Sequence, residues 1–488
     1  MIIVAKKHMK KLLFFFLILY KSSLLGQTVL NSYPLNLKKY DDSNQILNVE
    51  NSITHDVFVF ATNTENITIL KYNTALFLKD EFSIPRTDLQ DKSIVGYSFS
   101  EDGNPTLYWG TEDLKTIYVI KYYLEGKTYK VLRFNFPVSS QSIITTFQQN
   151  NLFYILSQDA SQPALGVYAF KNGIVEEKIY DFSPFTFQNR KTQFLTFNQV
   201  LRENPIEKIE SDEYSTLSKA SKKTKAYMLD NHIILTLDYN PNKTQVFDLN
   251  LENHDLTEKI FPQSATQDQR KLSNSFFYKD KIYQINTTQD ELLFDVKDFN
   301  SGETIKSFKV SKNDTIRFKS SPLLMQRDNE KPKELKKTSK FLQRLSYLDV
   351  GLSVFKNNQN ILVTLGGNPR MEQMYYAIND QMYSWNYTQT FHSESVFFET
   401  TLNNQYDFTL IQQQPLAMDN INYFLDQNKK ATLPNVLKFK DFYILGYYDI
   451  TAKQYIMRKF TDGFIPNEPT NPIIDKATFS KSFPFDKP

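Results

Sequence analysis

Phe276–Ile285 reads FFYKDKIYQI: two short apolar runs, aromatic or β-branched, on either side of a Lys-Asp kink. Such a run is a tight hairpin, because Asn, Asp and Gly tolerate the backbone of a turn while β-branched and aromatic side chains fit a pleated surface. The design returns at Phe147–Leu156 (FQQNNLFYIL), Tyr227–Leu237 (YMLDNHIILTL), Val354–Leu365 (VFKNNQNILVTL) and Leu437–Leu445 (LKFKDFYIL). Looser copies stand at Ile53–Ala61 (ITHDVFVFA) and Tyr97–Trp109 (YSFSEDGNPTLYW). With Asp56, Asn104, Asn151, Asn231, Asp280, Asn360 and Asp441 as turn markers, the intervals are 48, 47, 80, 49, 80 and 81 residues. The short intervals match the roughly 40–50 residues of one four-stranded propeller blade, and the long ones a blade with about thirty residues inserted.

Two further strands follow most hairpins. The next runs are Ile67–Tyr72, Thr116–Tyr122, Leu165–Phe170, Thr244–Leu249, Glu291–Val296 and Gln454–Phe460. After them come Leu76–Phe82, Tyr129–Phe136, Ile174–Asp181, Asp255–Phe261 and Thr304–Val310. Pro85, Pro137, Pro184 and Pro262 stand just beyond the latter set, as suits the exit from an edge strand that needs no ladder donor. The expectation is an all-β fold: a seven- or eight-bladed β-propeller of four-stranded antiparallel blades with short helical insertions. An eighth blade would come from the hairpin at Ser395–Leu410. The last unit lacks an outer strand, and Thr28–Leu37 is expected to supply it by pairing with Gln454–Phe460. Forty Phe and 29 Tyr provide bulk for faces between blades.

Lys6, Lys7, Lys10 and Lys11 followed by the apolar run Leu12–Tyr20 read as an export signal over residues 1–26, with cleavage before Gln27. The apolar run is too short for the ~20 residues of a spanning helix. Residues 27–488 are then expected as one mature domain without a transmembrane helix. The chain has no cysteine, which closes the lipid-anchored route and departs from the disulfide-rich habit of large secreted eukaryotic proteins. Export in a Gram-negative bacterium, to the periplasm or beyond, is the expected localisation. The signal holds five of the 57 basic residues, leaving 52 against 54 acidic ones in the mature chain. Such a balance lacks the basic footprint that nucleic-acid binding needs.

Tyr97–Ile120 resembles the Ser-x-Asp-Gly blade repeat of the Tol-type periplasmic propellers. Ser100, Asp102 and Gly103 match, with Leu107–Trp109 and Ile117–Ile120 as the next strands; Glu101 stands where that repeat carries proline. The resemblance covers one unit of seven and implies architecture only.

No catalytic residues, cofactor or metal site can be read from the sequence. Thirteen glycines offer little for a phosphate loop, and no Gly-x-Ser-x-Gly turn or His-Glu-x-x-His helix exists. His55 and His232 sit at repeat turns. His392 and Glu394 could meet a metal only with partners from elsewhere. The helical stretches Phe194–Glu210 and Glu334–Leu348 read as caps with solvated basic faces, the first followed by Lys219, Lys222, Lys223 and Lys225. One aromatic cluster, Tyr375, Tyr376, Tyr383, Trp385 and Tyr387, makes Tyr383, Trp385 and Tyr387 the candidate binding residues for a protein or carbohydrate ligand, with blade packing as the plainer reading. The leading functional expectation is an exported binding propeller without catalysis. A propeller hydrolase acting on polysaccharide, with carboxylates drawn from different blades, and an outer-membrane barrel are the alternatives. Oligomeric state has no signature in the sequence.

Overall fold

The computed structural model describes residues 28–463 apart from 38–42, 88, 90, 112, 136–140, 212, 267–270, 328–331, 358–359, 370–393 and 412–413. The chain divides into two compact units, one from Met1–Ser93 with Gln414–Asp475 and one from Ile94–Gln413 with Lys476–Pro488. The sheets are those of the expected all-β propeller: seven blades among the described residues, named here one to seven in the chain order of their first strands.

The first unit holds two blades. Blade one is the meander Gln45–Glu50, Val57–Thr62, Asn66–Tyr72 and Leu78–Pro85. Blade seven takes Ala431–Phe439, Phe442–Asp449 and Gln454–Phe460, and its fourth strand is Thr28–Pro34. That strand runs antiparallel to Gln454–Phe460, with Thr28 opposite Lys459 and Pro34 opposite Gln454, as the sequence led us to expect. Asn48 locks the two blades together. Its N–H donates to Asn435 Oδ1 at 2.7 Å, its side-chain amide donates to Asn435 O at 2.9 Å, and its Oδ1 accepts the Tyr455 hydroxyl at 2.5 Å. Gly446 sits so close that a Cβ would lie 2.3 Å from Asn48 Nδ2.

The second unit holds five blades. Blade two is Ser93–Phe99, Pro105–Gly110, Thr116–Tyr123 and Thr128–Asn135, and blade three is Gln141–Gln149, Leu152–Asp159, Ala164–Lys171 and Ile174–Asp181. Blade four is Thr224–Leu229, His232–Leu237, Lys243–Asn250 and Leu256–Pro262. Ile206–Ile209 adds a fifth strand to it, parallel to Thr224–Leu229. Blade five is Leu272–Tyr278, Lys281–Thr287, Glu291–Asp298 and Thr304–Ser311. Blade six joins Asp349–Lys356, Ile361–Asn368 and Glu394–Leu402 to Leu324–Arg327, a strand that precedes the others in sequence. Ser395–Leu410 therefore makes no eighth blade: its first half is the third strand of blade six, held between Ile361–Asn368 and Leu324–Arg327. The sheets are separate and open, which rules out the outer-membrane barrel. Among the described residues no helix is long and apolar enough to cross a membrane.

Sequence chemistry explains these elements. The seven markers fall in the turn between the first two strands of each blade. Two-residue turns at Asn150-Asn151 and Lys279-Asp280 have positive φ at both residues, 49° and 60° in one and 46° and 57° in the other. This is the type I′ geometry whose twist matches that of the flanking strands, and Asn and Asp tolerate it. At Ser100–Asn104 the Gly103 φ of 75° needs glycine, and Asp102 accepts from the Ser100 hydroxyl and from the Asn104 N–H at 3.1 Å. Second strands such as Val57–Thr62 and Pro105–Gly110 are buried at all six positions, so both faces of the sheet are covered. Outer strands such as Leu78–Pro85 and Ile174–Asp181 alternate with solvent. In the second unit aromatic rings fill the joints between blades. Tyr108 of blade two stacks on Phe153 of blade three at 5.4 Å and meets Phe170 edge-on at 5.2 Å. The helical insertions include Phe197–Glu203, begun by a Thr196–Gln199 capping box, and Thr338–Leu345, which buries Phe341, Leu342 and Leu345.

Two tests follow from these contacts. Gly446→Ala forces a methyl into Asn48 and is expected to cost about 1–3 kcal/mol of stability, the usual penalty of overpacking, read from the midpoint of chemical unfolding. The Ser100 hydroxyl holds the Asp102 carboxyl down at about 2 against an opposing effect of burial, with the Asn104 amide assisting. The stabilisation is therefore complete above the ordinary carboxylate range and is lost as pH falls from about 3.9 through about 2. Carboxyl-carbon NMR should place the midpoint near 2, and Ser100→Ala should return it toward the ordinary value.

Candidate functional site

Residues 204–223, the connection into blade four, cross three blades of the second unit. After Ile206–Ile209 pairs with blade four, the chain passes Tyr214 and turns through the short helix Leu217–Ala220. The Tyr214 hydroxyl meets Thr364 Oγ1 of blade six at 2.9 Å, and the Ser353 hydroxyl of blade six donates to Ser215 O at 2.5 Å. Gly351 is required beneath it, because a Cβ there would stand 2.6 Å from the Ser221 Cα.

Below this crossing lies a fully buried ion pair. Lys225 and Asp238 of blade four, both side chains 0% exposed, are 3.1 Å apart. The Lys225 ammonium also donates to Asn274 Oδ1 and to Lys222 O, each at 2.7 Å, so its three protons all have acceptors. Asp238 accepts from the Ser275 N–H at 3.0 Å, the Ser275 hydroxyl at 2.8 Å and the Thr244 hydroxyl at 2.7 Å. Asn274 of blade five donates to Ser221 O and to Val350 O of blade six, both at 2.8 Å. Burial pushes the Lys225 ammonium down from its ordinary range, and the Asp238 charge pulls it back. Satisfied at every proton of the cation, this network clamps three blades and the insertion together; it is a structural centre.

Two cavities of the second unit have the insertion as one wall. The larger, of about 130 Å³, is walled by Tyr227, Phe276, Phe277 and Tyr278 with Ile209, Leu229 and Val354. Glu210, Ser211, Glu213 and Lys279 complete its lining. Tyr227, Phe276 and Phe277 are almost wholly buried beneath it, whereas Glu213 and Lys279 are exposed at its rim. Tyr227 meets Phe276 and Phe277 edge-on at 5.5 and 5.6 Å. Its hydroxyl accepts the Phe277 N–H at 3.2 Å, and burial pushes its pKa far up, so it stays a neutral phenol. At the rim Glu210 pairs with Lys208, and the Lys279 ammonium lies 5.5 Å from the Tyr278 ring centre. The smaller cavity, about 20 Å³ beside Tyr214, Thr364 and Glu399, has room for a water molecule.

The residues singled out from sequence fare unequally. Tyr383, Trp385 and Tyr387 lie outside the described residues, as do Tyr375, Tyr376 and His392. Trp109, the other tryptophan, is buried within blade two. The lysine cluster needs correction: Lys222 is exposed, but Lys225 is core, and Lys223 donates to Ser273 O at 2.6 Å. A lysine with three acceptors in reach can be buried, and sequence alone shows none of them. Glu394 accepts from Arg327 at 2.9 Å and from Arg344. Burial pushes its carboxyl up, but the two guanidinium groups outweigh that and hold it below its usual range. His55 Nδ1 lies 2.6 Å from Glu50 and His232 Nδ1 2.6 Å from Asp248, each at a repeat turn. Among the described residues no three His, Asp or Glu side chains gather as a metal site would require. The larger cavity was missed because its aromatic residues belong to the repeat itself, Phe276–Tyr278 ending the first strand of the most regular hairpin.

No protein family and no curated protein matches the chain. Among solved structures it is similar to a prolyl endopeptidase, at 8% identity and a TM-score of 0.34 over 88% of this chain and 51% of the other, so the chain spans about half that protein's length. It is also similar to an oligogalacturonate lyase from Vibrio parahaemolyticus, at 9% identity and a TM-score of 0.32 over 89% of this chain and 98% of that one. The WD40 domain of SCAP from fission yeast gives 9% identity and a TM-score of 0.29 over 91% and 98% of the two chains.

Removing one member of the buried pair strands the other. Lys225→Met and Asp238→Leu are each expected to cost about 3–5 kcal/mol, while the double variant should recover a large part of that loss. Unfolding midpoints of the three variants measure the coupling.

Proposed function

We propose that this chain is an exported, non-enzymatic β-propeller of the bacterial envelope that binds a protein partner, with the aromatic-floored cavity beside Tyr227 as the anchor point. The cavity carries this reading. Its volume of about 130 Å³ is well below the ~300–1,000 Å³ of pockets that enclose a whole small molecule. It suits a single side chain, the form that a hot spot takes in a protein interface. A sugar subsite would need donors and acceptors for ring hydroxyls, whereas this floor offers carbon surface.

The hydrolase alternative has less support. A glycosidase acid requires a carboxyl with a raised pKa near a second carboxylate. In the second unit the described carboxyl groups with a resolved shift are held down by donors, Asp298 by the Ser301 N–H and Lys281 and Asp102 by Ser100. Asp462 of the first unit is pushed up by burial, and it accepts the Ala417 N–H at 2.8 Å at the start of the helix Ala417–Gln427.

Export is tested by expressing the full chain in a Gram-negative host and fractionating the cells. The expected product lies outside the cytoplasm and begins at Gln27, by N-terminal sequencing. Full-length protein retained in the cytoplasm would overturn the export reading.

A further inference from the structure

We propose that the outer strand of blade two, Thr128–Asn135, takes up one extended strand of the protein partner by antiparallel pairing, and that this added strand carries acidic residues opposite Lys130 and Arg133. This rests on the reading of the chain as a protein-binding propeller and names the partner's chemistry at a second surface, without using the cavity beside Tyr227.

An edge strand presents a row of unpaired N–H and C=O groups, and proteins blunt such rows with proline, bulges, very short strands or charges. Blades one, four and seven end their outer strands in Pro85, Pro262 and Pro34. Blade five has a register shift between Val296 and Lys297 where it meets its outer strand, and blade six ends in the two-residue strand Lys333–Glu334. Blade three sets Glu176, Glu177 and Lys178 side by side in its outer strand. Blade two keeps only the two cations Lys130 and Arg133. Its eight residues pair with Thr116–Tyr123 in unbroken register, and no proline or acid stands among them. Among the described residues its outward backbone groups have no partner.

The side chains of this edge are as open as its backbone. From Thr128 to Leu132 every one is exposed. Leu132 stands opposite Val119, as Phe82 stands opposite Ile69 in blade one and Lys178 opposite Val167 in blade three. Phe82 and Lys178 are 5% and 7% exposed, whereas Leu132 is 41% exposed, and Tyr129 and Val131 beside it are exposed too. Apolar side chains on both faces of an open strand suit the cross-strand pairs that an added strand brings. A second copy of this chain is the wrong occupant. Antiparallel self-pairing over all eight residues would set Lys130 opposite Arg133 twice, and like charges directly opposite are destabilising. Lys130 already stands opposite Lys121 within the blade and has no ion pair among the described residues. An acid in the added strand would supply that missing charge, and complementary charge selects the partner and fixes its register.

The peptide fluorescein-Thr-Val-Glu-Val-Thr-Glu-Val-Thr-amide places its two acids opposite Arg133 and Lys130 in the fully overlapped antiparallel register. Its binding to the purified mature chain, followed by fluorescence anisotropy, tests the proposal. It is expected to bind about tenfold tighter than the same peptide with lysine for both glutamates. Of two versions N-methylated on odd or on even residues, the one whose methyl groups face the edge should lose about tenfold in affinity, because the backbone supplies the binding. Lys130→Glu, at an exposed and unpaired position, should cut the preference for the acidic peptide several-fold at an unchanged unfolding midpoint. If that variant does not fold, the wild-type peptide series decides. Equal binding of the acidic and lysine peptides, no binding of the acidic peptide, full binding of both N-methylated versions, or an unchanged preference in folded Lys130→Glu would overturn the proposal. A chain found outside the cytoplasm that fails the titration defeats this inference alone. One that binds the acidic peptide but stays in the cytoplasm defeats the export reading alone.

Discussion

A sheet buried on both faces cannot exist by itself, and that constraint governs both units. The second strands have no solvent side, so each blade depends on apolar surface brought by another. In the second unit the surfaces are aromatic and interlock closely. Gly96 of blade two shows how closely, since a Cβ there would lie 2.1 Å from the Phe153 ring of blade three. The first unit uses amides where the second uses rings, with Asn48 reading the backbone and side chain of Asn435 across the joint. Both solutions hold a joint in one register. Ring packing does so by shape, and the asparagine pair does so because a one-residue slip would leave buried amides without partners.

The insertion into blade four turns this architecture toward function. A connection that merely joined two blades would need only a few residues. Here it runs across blade six and is pinned by the Lys225–Asp238 network, whose members come from strands far apart in sequence. Cavities result where a strap of irregular chain meets regular sheets, because the two shapes cannot match everywhere. The larger one lies over blade strands and takes its rim from turns, so buried aromatic residues sit beneath exposed charges.

Much of the architecture was legible because it rests on local chemistry. Asn and Asp mark the hairpin turns through their tolerance of positive φ, as at Asn150-Asn151, and the strands alternate or saturate in apolar residues according to how many faces they bury. Ile174–Asp181 stands in the structure with the bounds read from sequence. Blade six was less legible, since Leu324–Arg327 reaches it out of order and the hairpin-like Ser395–Leu410 contributes only one strand to the sheet. The candidate site was least legible. Lys225 looks like its exposed neighbour Lys222 until Asp238, Asn274 and the Lys222 carbonyl surround it, and those contacts are properties of the fold. The cavity beside Tyr227 likewise arises from the path of the insertion and has no motif.

Blade seven is completed by the first described strand of the chain, and Tyr455 reaches Asn48 across 407 positions. Synthesis runs from the N-terminus onward, so this sheet cannot close until Gln454–Phe460 has been made. Until then Thr28–Pro34 is a strand without a sheet, and the later hairpin Phe442–Phe460 carries an open edge. Loop-closure entropy rises only logarithmically with such a span, so the finished contact loses little stability by being remote, but the search for it is slow. A product that stops before Gln454 is therefore left with an open seam that quality-control proteases can recognise.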